Sequence, residues 1–212
     1  MSLQLNHYQL SGEWCVLGRI DEVYDVLINT AEYARWWPSV FRKVIEVQPG
    51  DAYGVDRVDV LETRGWLPGL LHWQTSVEEA DRPASILLQT WGDFVGTIEW
   101  RLTQEGAWAE VAYDWRLELS QPLLRRLSPL VHPLAAANLR WALERGEESL
   151  RLELAHRQAA NAVERAALPA PPPPTSLPMV PIVAGLGLLA AVVLYRASSN
   201  SKEPSYRQSG RR

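Results

Sequence analysis

Polar and apolar positions alternate most cleanly in "EVAYDWRLEL". There Val111, Tyr113, Trp115, Leu117 and Leu119 fall on one side, and Glu110, Asp114, Arg116 and Glu118 on the other. This is the period of an antiparallel strand with one wet face. A similar alternation opens the chain in "HYQLSGEWCVLGRI", where Tyr8, Leu10, Gly12, Trp14 and Val16 share a face. "DEVYDVLINT" then predicts a short helix, with Asp21 as N-cap and Val23, Val26 and Leu27 as its apolar stripe. "TAEYARWW" predicts a second short helix, stopped by Pro38. Extended runs follow at 41–48, 53–64, 70–80, 84–91, 94–103 and 108–119, separated by the turn signals "QPGDAYG", "GWLPG", "ADRPAS", "WGD" and "EGA". After Pro122 the period becomes helical. In "PLAAANLRWALERGEESLRLELAHRQ" the residues Leu139, Leu143, Gly146, Leu150 and Leu154 recur at offsets of three and four. Gly146 costs about 1 kcal/mol inside a helix, and its place on the buried stripe implies close approach to the sheet.

The predicted order is strand, two short helices, six strands and one long helix. This is an α+β fold with a twisted antiparallel sheet of about seven strands around a C-terminal helix. One helix stripe does not fill the concave side of such a sheet, so bulky side chains or a ligand cavity must take up the remainder. Composition points to the filling material: the chain holds ten tryptophans and only two phenylalanines. Strand parity nominates Trp73, Thr75 and Val77, then Phe94, Gly96, Ile98, Trp100 and Leu102, and Tyr113 with Trp115 as wall residues. Trp141 lies off the leucine stripe of the long helix. In "EYARWWP" two adjacent indoles, Trp36 and Trp37, meet a helix that has only one side to bury.

Charge divides the chain. Residues 1–168 carry 16 Lys and Arg against 24 Asp and Glu, a net of −8, while the remainder carries five positives against Glu203, a net of +4. An acidic domain without Lys and Arg clusters is a poor nucleic-acid binder. The single cysteine, Cys15, excludes an internal disulfide and a cysteine-based zinc site. It reads as a small residue in a strand. The four histidines are scattered, with neither an HExxH spacing nor a GxSxG elbow. His72 reads as a surface residue and Asp93 as a turn residue. Arg64 is an exposed strand arginine or, if its end of the strand turns inward, a partner for a ligand head group. No catalytic pair, metal site or cofactor is expected.

The C-terminal region has its own organisation. "LPMVPIVAGLGLLAAVVLY", residues 177–195, contains no charged residue over 19 positions. As a helix it would span about 28 Å, close to the hydrocarbon thickness of a bilayer. The Pro-rich stretch within 166–176 reads as a stiff spacer, and 196–212 as a basic disordered tail. A C-terminal single-pass membrane anchor is therefore expected, behind a folded domain at 1–165. No signal peptide is visible. That favours a cytoplasmic domain, although the positive tail favours the opposite orientation.

The succession over residues 7–155 resembles the START-like, or SRPBCC, superfamily, which includes polyketide cyclase/dehydrase-like and coenzyme-Q-binding-like proteins. The likeness is carried by "VYDVLINTAEYARWWPSVFRKVIEV" with its Tyr33–Trp36–Trp37–Pro38 turn, by "GDFVGTIEWRLT", by "VAYDWRLEL" and by "AANLRWALERGEESLRLEL". It implies a helix-grip fold with a deep apolar cavity between sheet and helix, and a hydrophobic ligand such as a lipid, a quinone or a polyketide-like molecule. In that fold the short helices close one end of the cavity. One of the adjacent indoles then plugs the core and the other lines the mouth, the alternative being that both are structural filling. The ligand-binding candidates are Trp36, Trp37, Trp73, Phe94, Trp100, Tyr113, Trp115 and Trp141. The resemblance leaves three functions open: membrane-tethered binding or transfer, a cyclase or dehydratase, and an interaction module with a closed cavity.

Overall fold

The computed structural model describes residues 7–67, 69–120 and 128–174, with only the backbone for 128–132. The 177–195 segment and the basic tail lie outside these residues. Among the described residues no helix is long and apolar enough to cross a membrane. The elements in order are β1 (His7–Leu17), α1 (Ile20–Ile28), a 3₁₀ turn (Thr30–Glu32), α2 (Tyr33–Trp36), β2 (Phe41–Gln48), β3 (Val58–Thr63), β4 (Leu71–Asp81), β5 (Ser85–Gly92), β6 (Phe94–Glu105), β7 (Trp108–Leu119), α3 (Ser128–Gln158) and α4 (Ala162–Ala167). The seven strands form one sheet in the order β1-β7-β6-β5-β4-β3-β2, so β2 to β7 run as a meander and β1 returns to pair with β7. Every pairing is antiparallel. The sheet wraps the long helix as the helix-grip reading requires.

Several element boundaries differ from the sequence reading. Residues 53–57 are a turn rather than strand, because the Asp51 carboxylate accepts hydrogen bonds from the Tyr53 and Val55 N–H groups at 2.8 and 2.9 Å. Asp21 does not cap α1. The helix starts at Ile20, and Asp21 in its first turn pairs with Arg19 at 2.7 Å. The long helix begins five residues before the predicted Pro133 and runs through that proline. A further short helix, α4, crosses the expected start of the linker. Asn161 caps it, accepting from the Val163 and Glu164 N–H groups at 3.0 and 2.9 Å.

The leucine stripe of α3 is buried as its spacing predicts, with Leu143, Leu150 and Leu154 almost fully covered. Gly146 sits where the helix crosses the tryptophans. A Cβ there would overlap Trp37 Cζ2 and lie 2.7 Å from Trp37 Cη2 and 2.8 Å from Trp14 Cη2. Along the flank of the stripe, α3 also covers the edge of β1. The Cys15 N–H donates to Glu147 Oε1 at 3.3 Å, and Arg151 donates to the Cys15 carbonyl at 3.1 Å. Cys15 lies in its strand as expected, but with an exposed side chain. The cap is tied to α3 through Glu153. Its buried carboxylate accepts two hydrogen bonds from Arg35, both 2.7 Å, and one from Arg157 at 2.6 Å. Burial alone would raise its pKa, but the two guanidinium groups outweigh that and hold it below the usual glutamate range.

Gly146→Ala should gain helix propensity and still lose stability, because two rigid buried indoles must move. The net cost should be about 1–2 kcal/mol, read as a lowered urea midpoint with an unchanged slope. An unchanged midpoint would mean that the crossing is not tight. Glu153→Gln should cost about 2 kcal/mol at neutral pH. Because the folded-state pKa is depressed, the wild-type advantage is present above the unfolded glutamate value of roughly 4.3 and is lost as pH falls through the folded value. Urea midpoints of both proteins against pH check this: the two curves should converge in acid.

Candidate functional site

The concave face of the sheet, the cap and α3 enclose an aromatic interior. Cross-strand register builds it in rows. Leu61 pairs with Trp73, Leu88 and Ile98 adjoin, Ile98 pairs with Trp115, and Trp100 pairs with Tyr113. Within it a small cavity remains, lined by Thr30, Tyr33, Phe41, Leu61, Trp73, Thr75, Leu88, Ile98, Trp100 and Trp115. Its volume is about 10 Å³, room for a single water molecule. The deep cavity implied by the resemblance is therefore closed in this conformation, and indoles occupy the space.

Three of the predicted ligand-binding residues, Trp73, Trp100 and Trp115, line this cavity, as do Thr75 and Ile98 from the wall positions that strand parity nominates. The Trp100 and Trp115 rings meet edge to face at 5.8 Å. Phe94 is buried beside the site, with its ring edge to face against Trp73 at 5.8 Å. Tyr113 is half-buried and lies over Gly12 on β1, where any Cβ would overlap its hydroxyl. Burial raises its pKa, and Glu147 and Glu144 add to the shift. Trp141 is half-buried against the core and does not line the cavity.

Trp36 and Trp37 correct the sequence reading. Neither lines a mouth; both are 0 % exposed. The physical reason is that α2 ends at Trp36. Trp37 takes φ −121° and ψ 51°, outside helical geometry, so adjacent residues are no longer splayed around a helix axis. Their indoles stack at 5.4 Å with an interplanar angle of 28°. Trp37 then meets Trp14 edge on at 5.8 Å. The pair forms the layer between α3 and the cap.

Strand parity nominates Thr75, but the rest of the polar lining comes from residues that the pattern of strands does not single out. Thr30 and Tyr33 belong to the cap. The Tyr33 hydroxyl donates to the Leu27 carbonyl at 2.6 Å. Burial pushes its pKa well up, and the Asp59 charge adds to this. Behind the lining, buried Asp59 accepts from the Thr30 hydroxyl and from Arg57 Nε, the latter at 3.0 Å. Arg57 also pairs with Glu46 at 2.8 Å. Trp73 donates its indole N–H to Thr63 at 2.9 Å. The Trp100 and Trp115 indole nitrogens are buried and have no acceptor among the described residues, as is also true of Trp36 and Trp37. Alternation could have found Asp59, since Leu61 and Thr63 share its parity; Thr30 and Tyr33 carry no such signal.

One end of this interior is loosely closed. Leu134 on α3 is 39 % exposed, and residues 135–138 are only half-buried. Among the described residues the β3–β4 loop reaches them through one hydrogen bond, from the Leu67 N–H to the Asn138 side chain at 3.1 Å. Gly65 permits this approach, since a Cβ there would overlap the Asn138 amide. Arg64, at the start of the loop, is half-buried, and its Nε has no partner among the described residues. His72 is exposed beside Glu62 at 3.5 Å. Asp93 is a turn residue, its carboxylate accepting from the His72 N–H at 2.8 Å.

A larger depression of about 580 Å³ lies at the opposite end, around Gly18, Arg19, Gln104 and Gln158. Its polar groups are already engaged. Gln104 donates to the carbonyls of Gly18, Gly106 and Trp108 at 3.2, 3.1 and 2.9 Å, and Gln158 donates to Glu22 at 3.0 Å. The aromatic interior is the better candidate despite its smaller volume, because it combines apolar walls with unpaired donors. Among the described residues no group of three or more His, Cys, Asp or Glu side chains could hold a metal ion.

Neither a protein-family profile nor a curated protein sequence matches the chain. Solved structures do. The ZhuI aromatase/cyclase from a Streptomyces species aligns over 73% of this chain and 97% of its own, with a TM-score of 0.59 and 16% identity. A protein from Thermus thermophilus aligns over 68% and 97%, at TM-score 0.55 and 18% identity. A START superfamily protein from Mycobacterium smegmatis aligns over 69% and 96%, at TM-score 0.54 and 14% identity. At these identities the likeness establishes the fold: residues of the described domain adopt the START/polyketide cyclase-like helix-grip architecture.

Proposed function

We propose that the domain binds a hydrophobic small molecule in its aromatic interior, entering between the β3–β4 loop and residues 133–138 of α3. The observation that carries this reading is the uneven grip of α3. Its second half is sealed on leucines and the Glu153 cluster, whereas residues 133–138 are exposed or half-buried beside a loop that, among the described residues, reaches them through one hydrogen bond. Local opening follows the region with the fewest buried contacts, and opening there would enlarge the interior without breaking the core. The fold shared with an aromatase/cyclase and a START protein supports the same reading. The tether belongs to the reading as well. A span at 177–195 would hold the domain beside a membrane reservoir of apolar ligand at high effective concentration, on the sequence argument alone. With it goes the proposal of a cytoplasmic domain.

The cavity volume favours a second reading, a membrane-bound interaction module whose interior stays closed. Native mass spectrometry of the full chain, released from nanodiscs of one synthetic lipid, separates the two. Binding predicts a stoichiometric hydrophobic molecule carried from expression, or taken up from a panel of acyl lipids, quinones and flat aromatics. An apo mass throughout would sink the binding reading and leave the interaction module.

A further inference from the structure

Two donors in the cavity wall have nothing to donate to. Trp100 Nε1 and Trp115 Nε1 are buried without an acceptor among the described residues, and both rings line the cavity. Leaving a buried N–H unpaired forfeits its hydration without a replacement, so two in one small space form an unmet demand for acceptors. Trp73, on the same wall, shows the satisfied case through its bond to Thr63. All ten lining residues are uncharged. An ionised carboxylate would therefore be desolvated there without a counter-charge, which is far more costly than placing a neutral oxygen. A plain hydrocarbon would leave both donors unpaired.

Resting on the binding reading above, we infer that Trp100 and Trp115 select for a neutral, flat ligand whose carbonyl oxygen accepts from their indole N–H groups. The two rings touch edge to face at 5.8 Å, so the two indoles adjoin on one wall. A carbonyl oxygen has two lone pairs and can accept from both. Flat aromatic surface suits the rest of the lining, where rings of Tyr33, Phe41 and Trp73 offer faces and edges. Trp36 and Trp37 also have unpaired nitrogens but lie outside the lining, so they serve as internal controls.

The test uses the full chain in lipid nanodiscs, labelled with ¹⁵N at the tryptophan indoles and titrated with 2-acetylnaphthalene or 2-ethylnaphthalene. The two probes match in size and differ in the carbonyl. Trp100→Phe and Trp115→Phe serve to assign the resonances, each variant first checked for a folded spectrum. The ketone should bind about tenfold more tightly, although the hydrocarbon is the more hydrophobic of the two. It should also shift the Trp100 and Trp115 N–H signals downfield while those of Trp36 and Trp37 stay in place. Equal binding of both probes with no selective shift would overturn the carbonyl inference and leave the binding reading intact. If neither probe binds, the carbonyl inference falls, and the binding reading is decided by the mass-spectrometric panel alone.

Discussion

The crossing of α3 over Trp14 and Trp37 at Gly146 is the contact on which the rest of the architecture depends. A curved seven-stranded sheet leaves more space under it than one leucine stripe fills, and indoles supply the missing volume. Indoles are thick, so the helix backbone lies on them only where it has no side chain of its own. Once Trp37 is held at that level, Trp36 stacks beneath it and Tyr33 packs edge on to Trp36 at 5.0 Å. Tyr33 in turn reaches the cavity. A single missing Cβ on the helix thus positions the cap, and through the cap the roof of the site.

How much of this was legible in the chain follows from which positions obey a period. The strands and the long helix show in alternation and in the leucine spacing, and parity alone brings Trp73, Trp100 and Trp115 to one wall. Trp36 and Trp37 break that logic, because helical periodicity describes residues inside a helix and α2 stops between them. Thr30 and Tyr33 sit in a turn whose direction is set by packing against the sheet, not by any local pattern. The volume of the interior was the least legible property. The same aromatic composition builds either a wall or a plug, and the difference is how closely α3 approaches, which rests on tenths of an ångström at one glycine.

The two edges of the sheet are treated differently. On β1, the outward backbone groups of Cys15 are taken up by Glu147 and Arg151 of α3, so the helix closes that edge while gripping the concave face. On β2, register shifts at both ends interrupt pairing with β3, and Arg42 and Lys43 stand exposed. Bulges and charge are the usual protection of an edge that no helix covers. The grip is consequently lopsided, strong along β1 and the cap and weak toward the β3–β4 loop.

That lopsidedness has an energetic scale. Fully burying a leucine is worth about 2 kcal/mol or more, so lifting Leu143, Leu150 and Leu154 from the core, with Glu153 leaving its two arginines, would approach the stability of a whole domain. At the other end, among the described residues, separation of 133–138 from the β3–β4 loop breaks one amide hydrogen bond of about 1 kcal/mol and uncovers the small side chains of Ala135 and Ala136. Opening of α3 near residues 133–138 would therefore cost least, and it would leave the sheet face carrying Trp73, Trp100 and Trp115 in place. A ligand entering there would meet a fixed aromatic wall and a movable helix. Shape selectivity would then belong to the sheet and the rate of entry to the helix. Substitutions at Asn138 or Gly65 should act on how fast a ligand enters, while substitutions at the indoles should act on which ligand stays.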